Sequence, residues 1–318
     1  TYQELGQNEL VISHRSSPVI IGANADWTKI SVGSNFSLAI NATGGLYTWG
    51  RNDWGQLGKN TPLSYTNIGA GIVTRNDGKL YTWGNNTPYG QLGDGTTTNR
   101  SGPVQISGIV ATDIPISWTQ VSGSINNRAG LRINGRLFVW GDNTYGQLGQ
   151  IDTIPRSNPV QIGISSWTQV YVTNDNMFAI RSDGTLWSWG NNYLGQLGTG
   201  DTINYSSPVQ IGTSSWSMVV ASGTGHTLAL KYDGTLFAWG NNQYNELGQN
   251  QRVQIAYSSP VQVGTSSYIT ISAGNNNSFA IRTDGILFGW GRNEYGQIGT
   301  NTNNPLSWTQ VANGDSFT

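Results

Sequence analysis

The chain has 318 residues, only 10% of them charged, and its 16 Lys and Arg nearly balance its 17 Asp and Glu. This balance excludes a nucleic-acid binder that works through a basic face, and no basic run is present to hold an anionic membrane. No apolar stretch approaches the roughly 18–20 residues of a spanning helix.

Cysteine is absent, and His14 and His226 are the only histidines. Thiol nucleophiles and thiolate metal sites are therefore excluded, and a zinc site built on histidine would need both imidazoles. We expect no nucleic acid, no membrane insertion, no cofactor, no metal and no catalytic residue.

One phrase recurs six times along the chain, each time around a Trp-Gly pair. The copies read LYTWGRNDWGQLG, LYTWGNNTPYGQLG, LFVWGDNTYGQLG, LWSWGNNYLGQLG, LFAWGNNQYNELG and LFGWGRNEYGQIG, with glycines at 50, 84, 141, 190, 240 and 291. Their separations are 34, 57, 49, 50 and 51 residues. A period near 50 indicates one supersecondary unit per repeat.

Each unit contains four apolar segments, which we interpret as four strands. A W-T-Q-V-like segment comes first, followed by an L-A-I-like segment, an Asp-Gly turn and the L-F-x-W segment. Asp-Gly between short alternating runs predicts a hairpin with a type I′ turn. The fourth segment, S-P-V-Q-I-like, contains proline and is expected at an outer edge.

Four strands per repeat predict an all-β fold, a seven-bladed β-propeller with about 50 residues per blade. The prediction treats residues 1–318 as a single domain. First strands are expected to begin at Trp27, Tyr65, Trp118, Trp167, Trp216, Tyr268 and Trp308, and the L-G elements end at Gly6, Gly58, Gly93, Gly149, Gly198, Gly248 and Gly299.

The seventh blade is expected to be shared between the two termini and to be incomplete. Aligning both ends with the fourth repeat leaves residues 178–192 without a counterpart, which corresponds to a second and a third strand. We expect either further residues of the native chain or strand donation from a neighbouring subunit to complete this blade.

The phrase L-x-W-G-x-N-x-x-G-Q-L-G at this period resembles the regulator of chromosome condensation repeat family, and the resemblance spans nearly the whole chain. It implies the propeller fold but no single function, because the family includes a nucleotide-exchange factor, ubiquitin-ligase domains, photoreceptors and secreted inhibitors. The family histidine of G-x-x-H occurs here only at Gly223–His226. The other repeats carry Phe36, Arg128, Met177, Ser278 or Ser316 near that place. The charge-poor, amide-rich texture is closest to phage or environmental members.

The repeated tryptophans are interpreted as core residues that pack one blade onto the next, rather than as sugar-stacking platforms. They are Trp49, Trp83, Trp140, Trp189, Trp239 and Trp290. The Asp-Gly aspartates are read as turn residues, and the resemblance implies a structural hydrogen bond for His226. Asp175 between two asparagines lacks the EF-hand pattern, so a surface loop is favoured over a calcium site.

Function is expected on the variable loops that follow strands one and three, which emerge on the same face of each blade. The candidate partner-binding residues are Asn126, Asn127, Arg128, Asn174, Asp175, Asn176, Asn275, Asn276, Asn277, Tyr205 and Tyr257.

The leading interpretation is a non-enzymatic scaffold in a virion or another extracellular assembly, which binds a protein or cell-surface partner in structural contact or adhesion. The alternatives are a cytoplasmic regulator, such as an exchange factor or ubiquitin-pathway adaptor, and a glycan-binding lectin. Tyr205 and Tyr257 are weak hints of the lectin, since a lectin needs exposed aromatic rings in matching loops.

Overall fold

The computed structural model describes residues 26–32, 36–51, 57, 64–106, 117–249, 255–299 and 309–310. Within these ranges every helix or strand element is a strand, so none of them is a helix able to span a membrane. The chain forms two compact units, one containing the described residues up to Asn174 and one containing those from Asp175 onward.

The first unit contains three antiparallel sheets and a further strand that opens the fourth repeat. In each sheet, strands adjacent in sequence are adjacent in space. The strands are β1 (Trp27–Val32), β2 (Phe36–Asn41) and β3 (Leu46–Gly50) of blade one; β4 (Tyr65–Gly69), β5 (Ile72–Arg75), β6 (Leu80–Gly84) and β7 (Arg100–Gln105) of blade two; β8 (Trp118–Gly123), β9 (Asn127–Arg132), β10 (Leu137–Gly141) and β11 (Arg156–Gln161) of blade three; and β12 (Trp167–Val172).

The second unit continues the same succession of antiparallel neighbours. Its strands are β13 (Asn176–Arg181), β14 (Thr185–Gly190), β15 (Tyr205–Ala221), β16 (His226–Lys231), β17 (Thr235–Gly240), β18 (Tyr257–Ala273), β19 (Asn277–Arg282), β20 (Leu287–Gly291) and β21 (Thr309–Gln310). The long strands β15 and β18 each form the fourth strand of one blade and the first strand of the next. Residues 205–210 of β15 pair with β14 in blade four, and residues 216–221 pair with β16 in blade five.

The Asp-Gly turns join strands two and three as predicted, but the type I′ assignment is wrong. A type I′ turn needs positive φ at both central residues, and at Asp77-Gly78 only the glycine has it, with φ 79°. The Gly78 amide donates to Arg75 O at 2.9 Å, and the Arg75 amide donates to Lys79 O at 2.9 Å. This is the longer hairpin loop, a type I turn followed by a left-handed glycine.

Consecutive blades pack through one repeated set of apolar residues. In the first unit, Trp118, Val121 and Trp140 of blade three share a core with Ile72 and Leu80 of blade two. In the second unit, Tyr268, Ile271 and Trp290 of blade six share a core with Leu228, Leu230 and Leu236 of blade five. In blades three and six, the first strand and the Trp-Gly tryptophan thus cover the second and third strands of the preceding blade.

The proline-containing strands β7 and β11 lie at sheet edges, which confirms the prediction for blades two and three. In blades four and five the proline-containing segment belongs to β15 and β18, which continue into the next blade and have a neighbour on both sides. The prediction of a first strand at Trp308 is wrong. Thr309 and Gln310 pair with Gly289 and Phe288, as Val261 and Gln262 pair with Ala238 and Phe237 in blade five. This pairing makes β21 the fourth strand of blade six. The prediction failed because the sequence S-W-T-Q-V resembles the fourth segment S-P-V-Q-V as closely as it resembles a first segment. The terminal residues 1–25 and 311–318, which include most of the predicted seventh blade, lie outside the described ranges.

Candidate partner-binding face

In blades three to six, the loops after strands one and three lie at the same end of the blade, as predicted, and we call this end the loop face. The amide of the residue after strand three donates to a carbonyl of the loop after strand one, as in Asn241 N to Gly225 O at 2.8 Å and Arg292 N to Asn276 O at 2.8 Å. The opposite end, which carries the turns between strands two and three, is called the turn face.

In blades two to six, a buried asparagine of the W-G-x-N phrase organises the long loop after strand three. In blade four, Asn192 accepts a hydrogen bond from Leu197 N at 2.9 Å, and its Nδ2 donates to both the carbonyl and Oδ1 of Asp201 at 3.0 Å. The equivalent asparagines accept from Leu92, Leu148, Leu247 and Ile298 at 2.8–3.1 Å. This asparagine was not among the predicted functional residues, although it recurs in all six copies of the phrase.

The L-G glycine and the next blade's tryptophan form the junction between neighbouring blades. Trp239 Nε1 donates to Gln196 O at 2.9 Å, and a Cβ built on Gly198 would lie 2.7 Å from that nitrogen. Gly198 also has φ 78°, which favours glycine. Trp290 repeats the bond, to Glu246 O at 2.6 Å.

The interpretation of the tryptophans as core is confirmed for five of them. Trp83, Trp140, Trp189, Trp239 and Trp290 are buried. Trp49 is only half-buried.

Three predicted loop residues are not available on the surface, so their assignment as exposed contact residues is wrong. Asn127, Arg128 and Asn176 are buried. Asn127 and Asn176 begin second strands, and their Nδ2 groups donate across the sheet to Asp142 O and Asn191 O. Arg128 fills space beside Gly71 and Gly123, and burial lowers its pKa to about 10.

The other predicted contact residues keep an accessible side chain. Asn275 is exposed, and the remainder are half-buried, namely Asn126, Asn174, Asp175, Asn276, Asn277, Tyr205 and Tyr257. The Tyr205 hydroxyl already has a partner within its own loop, because it donates to Asp201 Oδ2 at 2.7 Å. This hydrogen bond lowers the pKa of Asp201. Their role in partner binding stays a prediction.

Aromatic residues before the G-Q-L-G element were missed, although the repeat alignment could have shown them. Five of the six copies have an aromatic residue at this position, namely Trp54, Tyr89, Tyr145, Tyr244 and Tyr295, and the fourth copy has Leu194. The Arg292 guanidinium carbon lies 5.0 Å from the ring centre of Tyr244 and 5.6 Å from that of Tyr295. Glu294 holds the same guanidinium, with Nη2 to Oε2 at 2.6 Å. The result is a Tyr–Arg–Tyr stack on the loop face.

His226 makes a structural hydrogen bond, as the resemblance implied. Its Nε2 lies 3.0 Å from Ser278 Oγ, whose hydrogen is directed to Glu246 O at 2.8 Å. The contact joins β16 to β19 within the core. Burial lowers the pKa of His226 to about 3, so the ring stays neutral. His14 lies outside the described residues.

The structure corrects the alignment of the family histidine. His226 pairs with Gly240, and the residues in the same register position are Phe36, Asn127, Asn176 and Asn277, so that Met177 also lies one residue further along. Arg128 and Ser278 are one residue further along.

Glu246 replaces the glutamine of G-Q-L-G in blade five. It is buried, and its Oε2 accepts from Tyr244 N at 2.7 Å, as Gln196 Oε1 accepts from Leu194 N at 2.8 Å. Glu246 Oε1 has no hydrogen-bond partner among the described residues. Burial raises the pKa of this carboxyl. Within the described ranges, no group of three or more His, Asp and Glu residues is placed to hold a metal ion.

The blades and their glycine–tryptophan junctions define a repeat propeller. The RCC1-like domain family matches residues 68–316, and a regulator of chromosome condensation repeat matches residues 27–56. The chain belongs to the RCC1-like domain family, and its fold class is the all-β, seven-bladed β-propeller predicted from the sequence.

Among relatives, the chain is 34% identical over 140 residues to the X-linked retinitis pigmentosa GTPase regulator of Canis lupus familiaris. The match covers 38% of this chain and 14% of the dog protein. Human WBSCR16 has a similar structure, with a TM-score of 0.82 at 20% identity, covering 95% of this chain and 86% of that one. Yeast RCC1 (Prp20), in a crystal structure bound to Kap60, has a TM-score of 0.76 at 19% sequence identity. The match covers 91% of this chain and 75% of the yeast chain.

Proposed function

We propose that this chain is a non-enzymatic recognition propeller that binds a protein partner through its loop face, as an intracellular regulatory module. The observation that carries the proposal is the Tyr244–Arg292–Tyr295 stack. Tyrosine and arginine dominate the binding energy of many protein interfaces. Tyr295 is 59% exposed, and the stack stands on loops whose own polar groups are bonded inward through Asn242 and Asn293.

The relatives support the regulatory alternative rather than the leading interpretation of the sequence. One relative is a GTPase regulator by name, and a structurally similar protein was crystallised with a protein bound to it. None of the reported relatives supports a role in a virion, a phage or adhesion, and that interpretation stays an unsupported prediction. The half-buried Tyr205, bonded to Asp201, weakens the hint of a lectin.

The test compares the two faces by site-specific photo-crosslinking. A photo-reactive phenylalanine replaces Tyr295 on the loop face or Tyr232, 70% exposed, on the turn face. A protein captured through position 295 is identified, purified and titrated against Tyr295→Ala, Arg292→Ala and the matched control Tyr232→Ala. We expect the first two variants to weaken binding at least about tenfold and the control to bind normally. Capture through position 232 alone, or equal affinity of all three variants, contradicts the proposal.

A further inference from the structure

One residue of the loop between β10 and β11 has a backbone conformation that its side chain disfavours. Ile151 has φ 66°, in the left-handed region, where a β-branched residue is an outlier. It lies two residues after the L-G glycine of blade three. At the same place, blade two has Gly95 with φ 78° and blade four has Gly200 with φ 92°. The loop therefore needs a left-handed residue here, and blade three alone of these blades meets the need with a branched side chain.

Burial of the side chain does not offset the strain at Ile151, because this residue is 82% exposed. A single exposed apolar residue is ordinary on a protein surface. Here, however, the exposed side chain also costs backbone strain that glycine avoids in two equivalent loops. Strain of this kind is concentrated at ligand-binding and other functional positions.

A second apolar residue is exposed in the same loop. Ile154 is 61% exposed, its counterpart Ile203 in blade four is 62% exposed, and Ile255 in blade five is 49% exposed. An exposed isoleucine two residues before the fourth strand is thus a feature of the repeat and marks no site by itself. Blade three differs from blade four because it adds Ile151 three residues earlier.

Polar contacts inside the loop fix its backbone and leave both isoleucines outside. Asn143 Nδ2 donates to the carbonyls of Asp152 and Ile154 at 3.0 Å and 3.1 Å. Asp152 Oδ1 accepts from Ile154 N at 2.9 Å, and Oδ2 lies 2.6 Å from Arg156 Nη2. The acid and the base of the loop therefore neutralise each other. A backbone that is already fixed loses little conformational freedom on binding.

We propose that Ile151 and Ile154 are a pair of fixed anchors that enter an uncharged apolar groove of a partner protein. This rests on the proposed function, since the partner is a protein bound at the loop face. The groove needs no charged residue, because Asp152 and Arg156 satisfy each other, and the centres of protein interfaces are poor in charge. An anionic membrane is disfavoured for the same reason, since the one cation of the loop is already paired.

The experiment places a photo-reactive phenylalanine at position 154 of the whole chain or at the matched position 203. We expect a protein to be crosslinked through position 154 and not through position 203. That protein is purified and titrated against Ile151→Gly, Ile154→Ser and the matched control Ile203→Ser. The first two variants should bind at least about tenfold more weakly, and the control should bind normally.

The melting temperature of Ile151→Gly provides a second, opposite readout. Glycine accepts the left-handed backbone, so this variant should melt about 1–3 °C higher than the unaltered chain while it binds more weakly. A residue kept for the stability of the loop would lose stability instead. Ile151→Asn is the second variant, because asparagine tolerates the left-handed region and does not loosen the loop as glycine does.

Several results would overturn the inference. Absence of crosslinking through position 154, normal binding by both Ile151 variants, or an equal loss in Ile203→Ser contradicts it, and so does a lower melting temperature of both Ile151 variants. Crosslinking of the chain to itself would make a second copy the occupant. Binding to phosphatidylcholine vesicles that Ile154→Ser abolishes would make the occupant a lipid surface.

Failure of this inference can be distinguished from failure of the proposed function. If Tyr295→Ala and Arg292→Ala bind the same protein normally while Ile151→Gly does not, the tyrosine–arginine stack is wrong and the isoleucine anchors stand. The reverse pattern leaves the stack in place and contradicts the anchors.

Discussion

Asn192 on the loop face and Asp284 on the turn face both recur in most blades, and both accept hydrogen bonds from the backbone. Asn192 is fully buried and holds Leu197 N and Asp201. Asp284 is exposed and holds Ile286 N and the Arg282 guanidinium. Regular recurrence therefore marks two different things. At the loop face it marks a buried polar group whose hydrogen bonds are costly to lose. At the turn face it marks a residue favoured by the turn, whose hydrogen bonds water can replace.

The largest loss of stability is expected at the junction between an L-G glycine and the tryptophan of the next blade. Trp239→Ala removes a buried indole packed on Gly198 and its bond to Gln196 O, and should lower the free energy of unfolding by about 3–5 kcal/mol. Chemical denaturation measures this. Trp187→Ala is the control, because Trp187 is half-buried on the neighbouring blade and stacks on Arg181 at 3.7 Å. Equal losses in both variants would contradict the assignment of Trp239 to the blade junction.

Replacement of Glu246 is expected to change stability by an intermediate amount that depends on pH. Burial raises the pKa of its carboxyl, so the folded state holds a proton that the unfolded chain releases above about pH 4.3. Stability should therefore fall as pH rises from the unfolded pKa through the raised folded pKa. Glu246→Gln should melt higher than the unaltered chain at pH 7, and the two should converge near pH 4.

The matched control for Glu246 is Gln196→Glu in blade four, where the glutamine makes the same backbone contact to Leu194 N. This variant should acquire the pH dependence that Glu246→Gln loses. Thermal melts of both variants from pH 4 to pH 8 test the pair. Parallel pH profiles for all three proteins would show that Oε1 of Glu246 is solvated.

The smallest effect is expected at the turn face. The Arg282 hydrogen bond lowers the pKa of Asp284, so any contribution is present above the unfolded pKa and disappears as pH falls through the folded one. The pair is exposed, with Nη2 2.5 Å from Oδ2, and water screens it. Asp284→Asn keeps an acceptor for Ile286 N, and its melting curve at pH 7 should nearly overlay that of the unaltered chain. A loss comparable with that of Trp239→Ala would erase the difference between the two faces.

The candidate site was only partly predictable. The location of the loops at one end of the blade follows from antiparallel strand order, so the loop face was predicted correctly. The burial of Asn127, Arg128 and Asn176 was not, because second strands begin one residue or more earlier than the loop composition suggested. The stack of Tyr244, Arg292 and Tyr295 joins two repeats that lie about 50 residues apart, and only the packing of neighbouring blades shows it.

The sequence by itself determined the repeat period, the four-strand pattern of the described blades two to six and the core role of five Trp-Gly tryptophans, because periodic apolar residues and glycines act locally. Tertiary structure decided the partner of Thr309 and Gln310. The sequence S-W-T-Q-V fits a first strand or a fourth strand, and the observed pairing with β20 shows that it is a fourth strand. It also decided which equivalent residues are covered. Ile30 and Ile271 look alike in sequence and differ in exposure, because the burial of a strand face depends on the neighbour that packs against it.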